Sequence, residues 1–204
     1  MLEIAQNELA VVQRTFPEAE ELFSPERIAR HVRRVAQEIV LERAREDNHR
    51  PVKLVVVLDG AMPYGADLSR DLATYGLSDI YTDTIQLSRY GETTEPSQTP
   101  KIIKDLLYGI QDEDVIVIED ILDGGLTLAY LCENILRPRQ PHSLKITALV
   151  KREGTQVVGT PESDYPILSF ADDGRFAIGY GLDFARGQAR HYRGIYLVPR
   201  PKQG

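Results

Sequence analysis

VIVIEDILDGGLTL, residues 115–128, places a run of branched apolar residues directly before three carboxylates, two adjacent glycines and a threonine. Val115–Ile118 is apolar on both faces, as a central strand of a parallel sheet must be. Glu119 and Asp120 are therefore predicted to emerge where that strand ends, at the edge where parallel sheets bind ligands. The stretch predicts a buried strand that delivers acidic side chains to the mouth of a site.

The two glycines behind the acids predict a phosphate-binding turn. Gly124 and Gly125 permit a tight turn with no side chain in the way. The helix predicted from Leu126 points its free backbone N–H groups and positive dipole end back into that turn. The hydroxyl of Thr127 adds a further donor. The preceding carboxylates are placed to hold a sugar diol or the hydration shell of a magnesium ion beside the phosphate.

Two simpler interpretations explain less of this stretch. A calcium-binding loop needs acids at alternating positions and a late glutamate, whereas Ile121 and Leu122 occupy the intervening places. A solvated turn explains Asp123 and the two glycines but leaves the two preceding acids unexplained. A ligand-binding turn therefore accounts for the stretch best.

Apolar runs and helical patterns alternate along the rest of the chain. The predicted strands are Lys53–Leu58, Ile80–Leu87, Val115–Ile118 and Leu144–Val150. The predicted helices are an amphipathic one that starts at Ser24-Pro25-Glu26, with its interleaved arginines and glutamates facing solvent, and the segments Tyr64–Tyr75 and Leu126–Leu136. This alternation indicates an α/β fold with a central parallel sheet flanked by helices. Loops that begin at residues 59, 88, 119 and 151 are expected to line one site.

A chain of 204 residues suits a single core with a small appendage. We expect residues 26–160 to form this core, and residues 1–25 and 161–204 to form a small hood over the carboxyl edge of the sheet. Strand-like stretches in the second hood segment are Tyr165–Phe170, Phe176–Tyr180 and Gly194–Val198. Residues 88–101, nearly without apolar side chains, are predicted to form a long exposed loop, either a functional lid or a disordered segment.

The composition argues against several classes of protein. A net charge of −7 disfavours binding to nucleic acid through phosphate neutralisation. The longest apolar run, residues 54–58, is far shorter than the ~18 residues that a membrane span needs. The single cysteine, Cys132, cannot form an intrachain disulfide, and the N-terminus lacks the pattern of a signal peptide. A cytoplasmic location is therefore expected.

The stretch from Val117 to Thr127 resembles the phosphoribosyl-diphosphate binding motif of the type I phosphoribosyltransferases, in the form used by the hypoxanthine-guanine branch. Four further segments resemble that branch, in the same order along the chain. They are Val55–Leu72 (pyrophosphate loop and helix), Leu87–Leu106 (mobile lid), Ala148–Lys151 (purine lysine) and Phe176–Asp183 (base stacking and magnesium). The resemblance covers most of the chain from about residue 50 onward and implies the fold of that branch.

The resemblance also implies the reaction, which is transfer of a 5-phosphoribosyl group from phosphoribosyl diphosphate to a 6-oxopurine, hypoxanthine or guanine, with Mg²⁺ present. It implies Asp123 as the acceptor of the purine's proton, and assembly into a homodimer or homotetramer. The implied phosphoribosyl-diphosphate ligands are Glu119, Asp120, Asp123, Gly124, Gly125, Leu126, Thr127, Asp59, Gly60, Arg89 and Tyr90. The implied purine-binding residues are Lys151, Phe176, Ala177 and Asp183, and the implied metal ligands are Glu119, Asp120 and Asp183.

The sequence departs from the family pattern at four places. Asp59 stands where the family has a lysine, in a loop whose backbone amides bind pyrophosphate, often across a cis peptide bond. Arg89 replaces the serine of a serine-tyrosine pair, and we hypothesise that it restores the missing positive charge, although a surface arginine without a role explains it equally well. Gly124 replaces a threonine or serine. The arginine expected shortly after the magnesium aspartate is either Arg186 or Arg190, which lie on either side of its usual spacing.

These departures leave a second function open. The chain is either an enzyme or a phosphoribosyltransferase-fold regulator that senses phosphoribosyl diphosphate or nucleotides without turning them over. Retention of Asp123, Lys151 and Asp183 favours the enzyme. Without the resemblance, Lys151 alone is typical of a solvated side chain and Phe176 of a core residue.

Overall fold

The computed structural model describes residues 8–90, 96–155 and 159–200. Its helices are α1 (Glu8–Val12), α2 (Pro25–Arg45), α3 (Met62–Thr74) and α4 (Leu126–Tyr130). Its strands are β1 (Glu20–Phe23), β2 (Val52–Val57), β3 (Ile80–Tyr90), β4 (Pro96–Lys104), β5 (Asp114–Leu122), β6 (Ser143–Glu153), β7 (Leu168–Ala171), β8 (Phe176–Ile178) and β9 (Ile195–Val198). None of the helices in these three ranges has the length and apolar character to cross a bilayer.

Six strands form the central sheet in the order β4-β3-β2-β5-β6-β7. Strands β3, β2, β5, β6 and β7 run parallel, and β4 pairs antiparallel with β3 at one edge. Leu54 and Val56 of β2 pack with α2 and α3 on one face, while Val55 and Val57 pack on the other face with the segment after β5. Successive side chains of β2 thus alternate between two cores. The predicted α/β fold with a helix-flanked parallel sheet is confirmed.

Helix α2 forms as its sequence predicts. Pro25 occupies the first turn, and the Ser24 hydroxyl accepts a hydrogen bond from the backbone N–H of Arg27 at 3.3 Å. The apolar positions Ile28 and Ile39 are at most 1% exposed. The predicted solvated face is also present, with an exposed ion pair between Arg34 and Glu38 at 3.0 Å (residues i and i+4 on one helix surface).

Strand β5 runs four residues beyond the predicted end at Ile118. Its pairing with β6 continues through Glu119↔Ala148 to Leu122↔Lys151, because β6 itself extends to Glu153 and supplies partners for the additional backbone groups. Leu122 at the end of the strand is 2% exposed. The acidic pair therefore belongs to the sheet and does not begin a loop, which gives its backbone a fixed position.

Two other predicted elements differ from the structure. The predicted helix Leu126–Leu136 is α-helical only to Tyr130, since Leu131–Leu136 is π-helical and Arg137–Arg139 is a short 3-10 turn. The predicted exposed loop 88–101 is wrong over the residues that the structure describes. Strand β3 continues to Tyr90 and β4 begins at Pro96, so the two form an antiparallel ribbon. Such a ribbon forms through backbone hydrogen bonds and needs few apolar side chains; residues 91–95 lie outside the described part of the chain.

A second, three-stranded antiparallel sheet has the order β1-β9-β8 and joins the N-terminal segment to the C-terminal one. This sheet is the hood that the sequence predicts. Within residues 161–204, however, β7 does not join it, because β7 pairs in parallel with β6 and its Phe170 packs into the main core. The hood reaches the pyrophosphate-loop helix through the Tyr180 hydroxyl, which donates to Asp67 at 2.7 Å.

Candidate functional site

The loop after β2 lies at the carboxyl edge of the sheet, where ligands of such folds bind. Its peptide bond between Leu58 and Asp59 is cis, as the resemblance implied. The Asp59 carboxylate is exposed and lies beside Gln86 of β3, whose side-chain amide nitrogen is 3.4 Å from Oδ1. The acid therefore points along the base of the β3–β4 ribbon and not into the loop's own backbone.

Gly60 brings the loop into contact with the acidic pair. A Cβ atom on Gly60 would lie 1.6 Å from Oδ2 of Asp120 and 3.3 Å from Nη1 of Arg190. Gly181 of the hood approaches the same residue, since a Cβ there would lie 1.9 Å from the Gly60 carbonyl oxygen. Three segments far apart in the sequence therefore meet at Gly60, and they can do so only because two of the residues have no side chain.

Glu119 and Asp120 lie side by side in this cleft. Burial raises the pKa of Glu119 well above its usual value, and the neighbouring Asp120 carboxylate raises it further. Burial also raises the pKa of Asp120, but hydrogen bonds to its carboxylate and the guanidinium of Arg190 oppose this effect. Oδ1 of Asp120 accepts from the backbone N–H of Ile121 at 2.8 Å. Two neighbouring carboxyl groups repel each other when both are ionised. A bound cation or hydroxyl groups that donate hydrogen bonds would offset this repulsion, so the pair is suited to binding either of them.

The turn that follows β5 leaves an open hollow. Gly125 has φ +77°, the left-handed region that favours glycine, whereas a Cβ on Gly124 would meet no atom within 4 Å. A cavity of about 150 Å³ is lined by Glu119, the turn and the first residues of α4. The Thr160 side chain packs against Gly125 from outside this lining, where a Cβ would lie 2.7 Å from Thr160 Oγ1. Free N–H groups of the first helical turn and the hydroxyl of Thr127 surround this hollow.

The residues expected to bind a purine come from β6, β8 and the hood. Lys151 on β6 lies opposite Leu122, and its Nζ is 3.4 Å from Glu162 Oε1. Phe176 begins β8 beside Ala177, which is 5% exposed, and the Phe176 ring stands edge-on to Phe184 with centroids 6.4 Å apart. Phe176 is thus a half-buried ring supported by a second aromatic residue.

Asp183 and Arg190 form the hood side of the site. Oδ1 of Asp183 is 3.1 Å from Nη2 of Arg190, and its Oδ2 accepts from the backbone N–H of Gly187 at 2.9 Å. Nη1 of Arg190 donates to the Gly181 carbonyl. Of the two arginines that the sequence left open, Arg190 lies at the Gly60 loop. Arg186 lies in the intervening turn with φ +51°.

Arg152 is a site residue that sequence reasoning missed. It follows Lys151 on β6 and is 5% exposed, and its Nε lies 3.9 Å from Oδ2 of Asp123. The signal in the sequence is that Arg152 lies in a strand on the same face as buried residues. A charged side chain on such a face needs partners. The side chains of Arg89 and Tyr90 lie outside the described part of the structure, so their predicted roles stay predictions.

The described residues contain no group of three or more acids, histidines or cysteines arranged as a metal site. The three predicted metal ligands, Glu119, Asp120 and Asp183, do not form such a group, and Asp183 is paired with Arg190. A site of this kind suits Mg²⁺, which binds few protein carboxylates and keeps waters and substrate phosphates as its other ligands.

The family model of the phosphoribosyl transferase domain matches residues 18–185. The chain belongs to the phosphoribosyltransferase family. Hypoxanthine-guanine phosphoribosyltransferase of Bacillus subtilis is 36% identical over 164 residues, which cover 80% of this chain and 84% of that protein. The enzyme of the same name from Crithidia fasciculata is 30% identical over 187 residues, covering 92% and 85%.

Solved structures agree with these relatives. The hypoxanthine phosphoribosyltransferase of Trypanosoma cruzi, in a variant complexed with the product IMP, superposes with a TM-score of 0.77 at 32% identity, covering 90% of this chain and 92% of that one. A second structure of the enzyme from that organism, from work on its C-terminal region and oligomeric state, gives 0.77 at 30% identity, covering 88% and 90%. The type I phosphoribosyltransferase fold and the hypoxanthine-guanine branch that the sequence predicts are confirmed.

Proposed function

We propose that this protein transfers the 5-phosphoribosyl group from phosphoribosyl diphosphate to a 6-oxopurine, hypoxanthine or guanine, and so acts in purine salvage. The observation that carries the proposal is the contact between the Gly60 loop and Asp120. This contact supports the proposal because it brings the loop after β2 beside an acid of β5, and the hollow after β5 opens at the same edge of the sheet. Pyrophosphate, ribose and 5′-phosphate are the three parts of the donor substrate, in the order in which these features lie.

The phosphate hollow and the acidic pair hold the donor. Backbone N–H groups from Gly124, Gly125 and Leu126 and the hydroxyl of Thr127 bind the 5′-phosphate, since a helix start offers unpaired donors to an anion. Glu119 and Asp120 bind the ribose hydroxyls. Their negative charge also stabilises the positive charge that develops at the anomeric carbon as its bond to pyrophosphate breaks.

Asp123 accepts the proton during transfer. One imidazole nitrogen of the purine forms the new bond to the anomeric carbon, the bond to pyrophosphate oxygen breaks, and the proton on the other imidazole nitrogen passes to Asp123. The Asp123 side chain is 56% exposed at the mouth of the hollow, which leaves it free to reach the base. A positioned carboxylate base of this kind contributes about 10²–10⁴-fold to a rate.

The purine lies between β6 and β8 in this proposal. Lys151 donates to the exocyclic oxygen of a 6-oxopurine, Phe176 stacks on the ring, and the backbone at Ala177 contacts its edge. Lys151 pairs at 3.4 Å with Glu162, whose side chain is 78% exposed, and leaving such a solvent-exposed partner to turn to the substrate costs little. An amino group at position 6 would present donors to this lysine, which disfavours adenine.

Glu119, Asp120 and Asp183 are the residues that would hold magnesium, directly or through water. Magnesium, when bound, would neutralise charge on the leaving pyrophosphate. Gly60 and the cis peptide before it present backbone to the pyrophosphate, and Arg190 supplies a positive charge beside Asp120. Arg190 thus offsets the acid at position 59, and Arg89 and Tyr90 contribute to donor binding as the resemblance implies.

We further propose a homodimer or homotetramer in the cytoplasm. The oligomeric state of a structurally similar enzyme was itself a subject of study. The rival function, a sensor that binds phosphoribosyl diphosphate without turnover, has support only from the replaced residues at positions 59, 89 and 124. No described feature of the site blocks the proton acceptor, so the enzyme is the better supported of the two.

A spectrophotometric assay tests the proposal. The protein is mixed with phosphoribosyl diphosphate, Mg²⁺ and each of hypoxanthine, guanine, xanthine and adenine, and nucleotide formation is followed. We expect turnover with a 6-oxopurine and its loss by about 10²-fold or more in Asp123→Asn. The matched control is Asp112→Asn, an exposed acid at the opposite edge of the sheet in a left-handed conformation that asparagine also adopts. Tight donor binding without turnover of any base would establish the sensor instead.

A further inference from the structure

Arg152 is the one buried arginine on β6, the strand that also carries Lys151. Its side chain is 6% exposed, although it belongs to the residue type that is most rarely buried without a structural reason. An arginine keeps its charge under all ordinary conditions and presents a rigid planar fork of donors. A buried arginine beside a reacting group therefore provides a permanent positive charge and N–H donors with fixed directions.

Three contacts hold the guanidinium in place on the side away from the turn. Nη1 donates to Oδ1 of Asp172 at 2.9 Å and to the carbonyl of Arg175 at 3.0 Å. The guanidinium carbon lies 5.1 Å above the ring of Phe170. These partners come from β7 and from the turn that leads into β8, so the fork is anchored in the interior.

The remaining edge of the guanidinium faces the turn after β5. Nε of Arg152 is 3.9 Å from Oδ2 of Asp123. This ion pair joins β6 to the turn after β5. Asp123 itself is 56% exposed and is followed by two glycines, so its side chain has few other constraints on its direction.

We propose that Arg152 is a positioning residue that aims the proton acceptor at the purine. The guanidinium lies at ion-pair distance from the Asp123 carboxylate, 3.9 Å, on one side and hydrogen-bonds to the segment Asp172–Arg175 on the other, and Phe176 follows that segment directly. One side chain therefore links the position of the acceptor to the position of the ring that stacks on the base. This inference rests on the proposed function, because it assigns Arg152 a role only within that reaction.

The arrangement also suits the change of charge during the reaction. When Asp123 takes the proton it becomes neutral, and a buried cation that had no second partner would then be left uncompensated. Arg152 keeps its contact with Asp172 throughout, so the proton can move without leaving an isolated charge in the interior. A lysine cannot serve both sides, since it carries one compact charge and no fork.

The test compares Arg152→Met in the wild-type protein and in Asp123→Asn, with steady-state kinetics for the 6-oxopurine substrate. In the wild-type background we expect kcat to fall by about 10- to 100-fold, because misplacing a catalytic group by about 1 Å has effects of this size. KM for phosphoribosyl diphosphate should stay within about twofold, since its ligands are elsewhere. In Asp123→Asn the same change should cost less than about threefold further, because groups that act through one another are non-additive.

A second pair of variants keeps the test informative if Arg152→Met folds poorly. Asp172→Asn preserves the shape of the anchor and removes its charge, so a smaller fall in kcat with the same non-additivity is expected, and Arg152→Lys should restore only part of the activity. Arg139→Met, which removes an arginine paired with Asp105 at 2.8 Å away from the site, is the matched control.

The outcomes separate the two proposals. Absence of transfer by the wild-type protein with every purine would defeat the proposed function. An active wild type whose Arg152→Met variant keeps its full kcat, or loses the same factor with and without Asp123, would leave the function standing and overturn the positioning role.

Discussion

Replacing Gly60 by alanine is the sharpest test of how the site is assembled. The new Cβ would lie 1.6 Å from Oδ2 of Asp120, whereas non-bonded contacts of Cβ atoms are not seen below 3.0 Å. The carboxylate must therefore retreat by at least about 1.4 Å, the difference between these two distances. Asp120 can do so only by leaving the position in which Oδ1 accepts from the backbone N–H of Ile121.

The size of the effect follows from that displacement. A misplacement of about 1 Å in a catalytic constellation can cost 10²-fold in rate, so we expect kcat/KM for phosphoribosyl diphosphate to fall by about 10²-fold in Gly60→Ala. The folded state should suffer much less, because the atom that moves is the end of a side chain. An off-rotamer side chain costs about 0.5–1.5 kcal/mol, which lowers the melting temperature of a domain of this size by only about 1–6 °C.

Gly109→Ala is the matched control, because a Cβ at that glycine meets nothing within 4 Å, its φ is not in the left-handed region, and it precedes β5 at the edge of the sheet opposite the site. It should retain the kcat/KM of the wild type within about threefold. Both variants are measured by nucleotide formation and by thermal unfolding. A folded Gly60→Ala variant with wild-type kcat/KM would show that Asp120 does not need its observed position, and the assignment of the acidic pair to the donor would have to be abandoned.

Three further predictions concern the hollow and the core. Gly124→Ser adds a hydroxyl in open space, and one additional neutral hydrogen bond of about 0.5–1.5 kcal/mol should tighten donor binding by about 3- to 10-fold in calorimetry. Tyr64→Phe removes the buried 2.6 Å hydrogen bond to the Thr147 hydroxyl and should lower the free energy of unfolding by about 1–3 kcal/mol in urea titrations. Burial lowers the pKa of His31 from 6.5 to about 4, so the unfolded chain binds the proton more readily. Stability should be complete above pH 6.5 and fall by about 1.4 kcal/mol by pH 5.5; His31→Leu should abolish that part of the pH dependence.

The elements that the sequence predicts well are those whose signals are local. Helix α2 begins at its serine cap and proline, and strand β2 is apolar except at Lys53 and is buried on both faces. The parallel sheet follows from the alternation of such runs with helices. The tight turn at Gly124 and Gly125 is also predicted locally, because two adjacent glycines allow a turn with no side chain in the way.

The elements that it predicts poorly depend on residues far away in the chain. Strand β5 passes Glu119 because β6 is long enough to pair with it, and an acidic residue by itself suggests the end of a strand. The ribbon of β3 and β4 forms from a stretch with few apolar side chains because strands need partners more than they need apolar faces. A local sequence pattern does not identify the strand with which β5 or β3 will pair.

The choice between Arg186 and Arg190 shows the same limit at the scale of one side chain. Both lie within a few residues of Asp183, so spacing cannot separate them. The chain between them makes a tight turn, with φ +51° at Arg186 and +81° at Gly187, and the Gly187 N–H donates back to Asp183. That turn directs Arg190 to the Asp183 carboxylate and the Gly181 carbonyl, and so to the loop at Gly60.

The glycines therefore determine the geometry of this site as much as the acids do. A Cβ on Gly60 would collide with Asp120 of β5, and a Cβ on Gly181 would collide with the Gly60 carbonyl oxygen. The loop after β2, the end of β5 and the hood can therefore approach one another only because both residues are glycines. The same approach brings Arg190 of the hood near Asp120, and its positive charge acts to lower the pKa of that carboxyl group, opposing the effect of burial. If the loop binds pyrophosphate as proposed, an acid such as Asp59 is tolerable there, because the backbone of the loop and an arginine from the hood supply positive potential.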